Sequence, residues 1–248
     1  MDDAQLTLPS AGPDPLPVNT ALAAVVGYAR GRRPLYFRAP NARTGRWVDL
    51  PAFGYERFDR RPGPDGALGE PDILIAEGLH GRLDPAGWAA MKGALDDVGP
   101  LADTAVEHAA GRPFWELPDD EFSVLAEPGT VGAALRQIGQ LVAGTPGVSA
   151  KHVAAALHHR RPSLFPLLVR TTRWQLLPHV RESDSGVEAV VHRELTANAA
   201  PFGRLESELA ARDVGLRPLR LHDVLLWLSA TLRMTHAVAL GRDGIRRE

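Results

Sequence analysis

The sequence has no cysteine, few lysines, few aromatic residues and no long apolar run. Without cysteine in its 248 residues, a disulfide framework, a thiolate metal site and a cysteine nucleophile are all excluded. No stretch reaches the roughly 18 apolar residues of a membrane helix, so no membrane span is predicted. Met1-Asp2-Asp3 is acidic and precedes no apolar run, so we expect no secretory signal and a cytoplasmic protein.

The overall charge gives no general attraction to nucleic acid. Lys and Arg total 28, Asp and Glu total 30, and the formal net charge is −2. Lys92 and Lys151 are the only lysines, and this excess of arginine, with abundant Ala, Gly and Pro, is typical of a GC-rich bacterial genome. No dinucleotide fingerprint, Walker loop, Gly-x-Ser-x-Gly elbow or His-Glu-x-x-His occurs, and no cofactor is predicted.

The hydrophobic pattern predicts a mainly α protein with one domain. Residues 1–18 contain four prolines and are predicted to form an extended N-terminal arm, and residues 19–248 a single helical domain. Asn19 is predicted to cap a first helix over Ala21–Ala29. Alternating residues in 34–50, around an Asn-Ala-Arg-Thr-Gly turn, predict a small β-hairpin. Helical periodicity then recurs up to a long last helix at 218–238.

Residues 133–159 predict two helices, 133–143 and 151–159, joined by a tight turn. The junction, Pro-Gly-Val-small-Ala-Lys, resembles the helix-hairpin-helix motif of the base-excision DNA glycosylase superfamily. The segment 161–166 (Arg-Pro-Ser-Leu-Phe-Pro) is similar to the connector that follows this motif in those enzymes. The resemblance implies a glycosylase-like helical core.

Residues 55–235 also resemble a family of actinobacterial proteins of unknown function, designated DUF6308. Three elements carry this likeness: the hairpin with its Arg-Pro-x-Leu-x-Pro connector, the segment 221–227 (Leu-His-Asp-Val-Leu-Leu-Trp) and the segment 71–74 (Pro-Asp-Ile-Leu). Because that family has no assigned activity, the likeness bears on the fold and implies little about function.

The glycosylase resemblance implies a phosphate site at the hairpin. In that motif, backbone N–H groups of the turn and the start of the second helix hold a DNA phosphate. The matching residues here are Gly147, Val148, Ser149 and Ala150, with Ser149 in place of the motif's second glycine. Five cations and no acid follow within 23 residues, either as a phosphate-binding face or as a solvated surface paired with acids elsewhere. These are Lys151, Arg160, Arg161, Arg170 and Arg173.

The position of the glycosylase aspartate is apolar in this chain. After the connector the sequence reads Leu167-Leu168-Val169-Arg170, and no carboxylate occurs between Lys151 and Val180. Cleavage of a glycosidic bond needs an anion beside the sugar cation or an amine nucleophile, so base excision is not expected. Asp223 and Asp72 are candidate buried functional carboxylates. Each has a structural alternative, as the partner of an arginine or as a charge at a helix start.

The histidines and tryptophans add little to the site. His152, His158 and His159 lie on or beside the second predicted helix without a carboxylate, so we predict no metal and assign them to the surface or to phosphate contacts. Trp174, beside Arg170 and Arg173, is a candidate for stacking on a base or ligand.

These patterns lead to three hypotheses. The first is a nucleic-acid-binding helix-hairpin-helix protein that lacks the glycosylase aspartate and contacts the DNA or RNA phosphate backbone. The second is a repurposed tailoring enzyme of bacterial specialised metabolism. Its small-molecule or RNA-borne substrate would lie in a cleft between the hairpin and the C-terminal helix. The third is a purely structural or partner-binding protein. Whether the protein is an enzyme stays open at this point.

Overall fold

A computed structural model describes residues 4–41 and 43–245. Helix is the predominant structure and accounts for 59% of the chain. The mainly α prediction is confirmed. Residues 1–3 of the predicted arm, Ala42 of the predicted turn and residues 246–248 lie outside the described residues. The helices are α1 (Val18–Arg30), α2 (Glu70–His80), α3 (Pro85–Ala109), α4 (Val131–Gly144), α5 (Ala150–Arg160), α6 (Arg170–Leu176), α7 (Val187–Ala197), α8 (Ala199–Ala210), α9 (Pro218–Ala230) and α10 (Met234–Ile245).

Two antiparallel pairs of short strands and four short 3₁₀ helices are also present among the described residues. β1 (Gln5–Leu6) pairs with β2 (Leu16–Pro17), and β3 (Arg32–Phe37) pairs with β4 (Arg46–Pro51). The second pair is the β-hairpin that the alternation in 34–50 predicts. Helix α1 begins at Val18, directly after Pro17, and so starts ahead of the predicted cap Asn19.

The segment that precedes α1 is packed onto the domain and does not extend away from it. Leu6 is fully buried. The amide of Asn198 pairs with both backbone groups of Thr7: Oδ1 accepts from its N–H at 2.7 Å, and Nδ2 donates to its carbonyl at 2.8 Å. Glu194, one helical turn earlier, accepts from the N–H and the hydroxyl of Ser10 at 2.9 and 2.6 Å. The described part of the predicted arm therefore belongs to the fold, because side chains of α7 and its end satisfy its backbone.

The last predicted helix, 218–238, is two helices. α9 and α10 meet at 117°. Leu232 between them has a φ of 56°, in the left-handed region that ends helices. The turn folds α10 back against α1. Among the described helices none is long and apolar enough by itself to cross a membrane. α9 and α10 meet that criterion of length and composition only when they are taken together.

Helices α1 and α10 cross with their backbones in contact. A Cβ atom on Gly27 would lie 1.8 Å from the carbonyl oxygen of Ala237, and one on Gly241 would lie 1.8 Å from that of Ala23. Ala23 and Gly27 of α1 are four residues apart and share a face of that helix, and so do Ala237 and Gly241 of α10. Glycine is needed at the crossing because no side chain fits between the two backbones.

Replacing Gly27 with alanine is expected to lower the free energy of unfolding by about 1–3 kcal/mol, because the new methyl group forces the helices apart. Gly139 of α4 is the matched control, since a Cβ there meets nothing within 4 Å. Its replacement by alanine is expected to raise stability by about 0.5–1 kcal/mol through helix propensity. Urea denaturation measures both. A Gly27→Ala protein as stable as the wild type would contradict this packing.

Helices α4 and α5 occupy the two helical stretches predicted at 133–143 and 151–159. Five residues, 145–149, connect them, and Gly147 in this turn has a φ of 80°. α4 packs on α3, and α5 packs on α2. This arrangement places the start of α5 at the surface, close to the end of α2.

Candidate functional site

An open cleft of about 500 Å³ lies where the start of α5, the start of α6, α9 and the β3–β4 hairpin meet. Its volume falls within the range of about 300–1,000 Å³ that is usual for ligand sites. Among the described residues that line it, Asp223 is the only acid. Six lining residues carry a positive charge: Arg33, Arg57, Lys151, Arg170, Arg220 and Arg233. We call this site the cationic cleft.

Five of these six charges are not neutralised by ion pairs. Within the part of the chain that the structure describes, Arg33, Arg57, Lys151, Arg170 and Arg233 pair with no carboxylate. They come from β3, the turn after β4, the starts of α5 and α6, and the link before α10. Tertiary structure alone brings them together. The cleft therefore carries a strong positive field in a chain whose net charge is −2.

The sixth cation, Arg220 of α9, belongs to a buried polar cluster at the floor of the cleft. Its Nε lies 2.6 Å from Oδ1 of Asp59, its Nη2 donates to the Tyr28 hydroxyl at 2.8 Å, and its Nη1 pairs with Oδ2 of Asp223. Tyr28 in turn donates to Asp59 at 2.7 Å. Burial alone would lower the pKa of Arg220, but Asp59, Tyr28 and Asp223 hold it well above its usual value. Arg220 is thus a fixed cation.

Asp223 has one oxygen bound and one oxygen without a partner. Oδ2 pairs with Arg220, whereas Oδ1 is buried and meets no hydrogen-bond donor among the described residues. Burial raises the pKa of Asp223 to about 6, against the opposing charge of Arg220. Unpaired buried acceptors cost stability, and groups with such perturbed pKa values concentrate at functional sites. Asp223 therefore has the structural role of an arginine partner, and its unpaired oxygen keeps it a candidate functional carboxylate.

Replacing Asp223 with asparagine is expected to raise the free energy of unfolding at neutral pH by about 1–2 kcal/mol. Between its unfolded value near pH 3.8 and its folded value near pH 6, the folded state holds this proton more tightly. The wild type therefore loses stability from this residue as pH rises through that window, and the variant does not.

Thermal unfolding at several pH values measures this difference. Asp59→Asn is the matched control. Asp59 contacts the same guanidinium, that of Arg220, but with both of its carboxylate oxygens, whereas Asp223 uses one. Replacement of Asp59 is expected to destabilise the protein by leaving Arg220 less compensated. A destabilised Asp223→Asn protein at neutral pH would contradict this account of the carboxylate.

The structure divides the basic cluster that the sequence predicts. Lys151 and Arg170 line the cationic cleft. Arg161 lines a second, smaller cleft of about 350 Å³ beside α3. Arg173 is exposed on α6, and the residues lining either cleft do not include it. Exposed Trp174, the predicted stacking residue, also lies outside both.

The predicted phosphate contact of Arg160 is corrected by the structure. Its Nε and Nη2 bind the two oxygens of Asp72 at 2.5 and 2.8 Å. The remaining N–H groups donate to the carbonyl oxygens of Pro64, Gly66 and Ala67, so all five donors are used. Asp72 is fully buried and also accepts from the Gly69 N–H at 2.9 Å. Both predicted site residues therefore join the end of α5 to the start of α2.

The histidines of α5 are also placed differently from the sequence prediction. His152 and His158 are buried and His159 is half-buried. Each ring binds a backbone carbonyl oxygen, at 3.0, 2.7 and 3.0 Å respectively. Burial lowers the pKa of all three, that of His158 to about 4. Across residues 4–41 and 43–245, no group of three or more His, Asp or Glu side chains could hold a metal ion.

The turn between α4 and α5 presents free backbone donors next to the cleft. The N–H groups of Gly147, Ser149, Ala150 and Lys151 donate to no acceptor in the described chain, whereas that of Val148 donates to Thr145 at 3.3 Å. Lys151 itself lines the cleft. Most of the predicted phosphate-binding amides are therefore available, at the edge of the cationic cleft.

Sequence reasoning missed Arg33, Arg57 and Arg233. No local pattern marks them, because they lie in separate elements and meet only in the folded chain. Asp223 is a candidate carboxylate by sequence, on the C-terminal helix beside the predicted cleft, and it lines the cationic cleft. Arg33 and Arg233 lack acids nearby in the sequence, but this signal is weak in an arginine-rich chain, and Arg57 lies between Glu56 and Asp59 and does not show it.

Comparisons of the chain with protein-family profiles, with curated proteins and with solved structures gave no match.

Proposed function

We propose that the protein binds nucleic acid through the cationic cleft, on a helix-hairpin-helix scaffold with a glycosylase-like core. One observation carries this proposal: five cations without ion-pair partners converge on a single cleft. In a chain of slight negative charge, such a local concentration favours a polyanionic partner.

The α4–α5 turn supports the proposal at the edge of that cleft. The free N–H groups of Ser149 and Ala150 lie at the start of α5, where the helix dipole favours an anion. Lys151 adds a full charge at the same place. Contacts of this kind hold phosphate oxygens and do not distinguish between bases. The binding should therefore depend little on sequence.

The test is the affinity of the wild-type protein for strands of about 16 nucleotides with unrelated sequences, as DNA and as RNA. We expect similar affinities for all sequences at about 50 mM salt and much weaker binding at about 200 mM. An absence of measurable binding at the lower salt concentration would contradict the proposal.

A second candidate function is that of a repurposed tailoring enzyme of specialised metabolism, acting on a small molecule or an RNA-borne substrate. Asp223 is the observation that favours it, because a carboxyl group with a pKa of about 6 can transfer protons near neutral pH. The cleft also lies between the α4–α5 hairpin, at Lys151, and helix α9. This hypothesis puts the substrate at that place. Base excision stays unexpected, since Leu167 lines the cleft and Arg220 neutralises the carboxylate. Excision activity that Asp223→Asn abolishes would contradict this expectation.

A further inference from the structure

The β3–β4 hairpin is exposed on both faces. Four large side chains, Leu35, Tyr36, Phe37 and Trp47, are 45%, 52%, 51% and 69% exposed. All six residues of β3 are exposed, and of β4 only Val48 and Pro51 are half-buried, so neither face of the ribbon is buried on the core. A two-stranded ribbon by itself is marginally stable in water, and clustered exposed apolar residues usually mark a contact site. The ribbon therefore has the properties of a surface that a partner covers.

The charge of the ribbon identifies the kind of partner. Asp49 is the only acid in residues 32–51, and the arginines of this segment are Arg32, Arg33, Arg38, Arg43 and Arg46. Protein interfaces tend to exclude charge from their cores, and two copies of so basic a ribbon would repel each other. Arginines interleaved with aromatic rings are typical of surfaces that bind phosphates and stack on bases.

The ribbon is continuous with the cationic cleft. Arg33 lines the cleft, and Leu35 and Phe37 follow it on the same face because side chains alternate along a strand. On the opposite face Tyr36 pairs with Trp47 across the strands, with ring centroids 5.3 Å apart. A strand that leaves the cleft along Arg33 would therefore meet Phe37 on the same face, and it would reach Trp47 by passing around the far end of the ribbon, where Phe37 pairs with Arg46.

We propose that the β3–β4 ribbon binds the unpaired bases of a single-stranded nucleic acid by stacking them on Phe37 and Trp47. This inference rests on the proposed function and adds to it a preference for single strands. A duplex stacks its base faces internally, whereas an unpaired base can stack on an aromatic ring.

The test compares a strand of about 16 thymidines with an abasic strand of equal length, which has the same phosphates and no bases. The wild type is expected to bind the thymidine strand at least about fivefold more tightly than the abasic strand. Phe37→Ala combined with Trp47→Ala is expected to remove this difference. Trp174→Ala, which deletes an exposed ring outside the ribbon, is expected to keep it.

The outcomes separate this inference from the proposed function. Binding of both strands with equal affinity by the wild type, or an unchanged preference in the double variant, overturns the ribbon's role and leaves phosphate binding intact. Binding of neither strand overturns the proposed function itself.

A fluorescence measurement covers the case in which the double variant does not fold. The thymidine strand should quench part of the wild-type tryptophan emission. The Trp47→Phe variant should lose the part of the quench that Trp47 contributes while keeping its affinity, whereas Trp227, which lines the cleft, can still contribute. The Trp174→Phe variant should retain the quench. A quench in Trp47→Phe as large as in the wild type would overturn the proposal.

Discussion

Replacing Arg160 with alanine is expected to lower the free energy of unfolding by about 3–5 kcal/mol. The change leaves the fully buried carboxylate of Asp72 without its cation, and an uncompensated buried charge is among the most costly defects in a protein. It also releases three loop carbonyl oxygens that the guanidinium holds, those of Pro64, Gly66 and Ala67. The loop before α2 should then lose its attachment to α5.

Arg161→Ala is the matched control for this experiment. Arg161 is the next residue, is exposed, and forms no ion pair within the described residues. Its replacement is expected to change stability by no more than about 0.5 kcal/mol. Urea denaturation followed by circular dichroism compares the two variants. Equal stabilities would contradict the structural role of Arg160 and return its guanidinium to the set of possible phosphate ligands.

Reversing two charges of the cationic cleft, Lys151→Glu with Arg170→Glu, is expected to weaken binding of nucleic acid by at least about 100-fold. Each charge-assisted contact contributes about 1.5–3 kcal/mol, and the two new carboxylates repel the phosphates as well. The loss should be similar for all sequences, because these contacts involve the backbone. Stability should change little, since both side chains are exposed and unpaired with carboxylates in the described chain.

The control is a second double variant with the same change in net charge, Arg161→Glu with Arg173→Glu. These residues belong to the predicted basic cluster but lie outside the cationic cleft. Reversing their charges should therefore weaken binding of nucleic acid far less than reversing those of Lys151 and Arg170. Fluorescence anisotropy with one labelled strand measures both variants at one salt concentration. Equal losses would show that binding responds to overall charge or to the wider face, and would contradict the assignment to the cleft.

Local patterns predicted the elements that depend on local interactions. The alternation in 34–50 indicated the β3–β4 hairpin, and the Pro-Gly-Val turn placed α4 and α5 to within two residues. The break between α9 and α10 was not predictable, since neither Gly nor Pro marks it and Leu232 adopts the left-handed conformation instead. Packing of α10 against α1 determines that bend.

The site was predicted only in part because charge pairing is a tertiary property. Arg160 and Arg170 look alike in the sequence, yet one meets a buried carboxylate 88 residues away and the other lines an open cleft. The acid-free run at 151–173 hides this difference, because the partner acids lie elsewhere in the chain. Asp72 and Asp223 are likewise equivalent in the sequence, since both are candidate buried functional carboxylates. The structure pairs both oxygens of Asp72 and leaves one oxygen of Asp223 unpaired.

The most direct test of nucleic-acid binding by the cationic cleft is the salt dependence of the wild-type dissociation constant. On a single strand of arbitrary sequence, each neutralised phosphate contributes about −0.7 to the slope of log affinity against log salt. With five available cations, we expect a linear plot with a slope of about −3.5. An affinity that is undetectable at about 50 mM salt, or unchanged between about 50 and 200 mM, would contradict binding of nucleic acid by the cationic cleft.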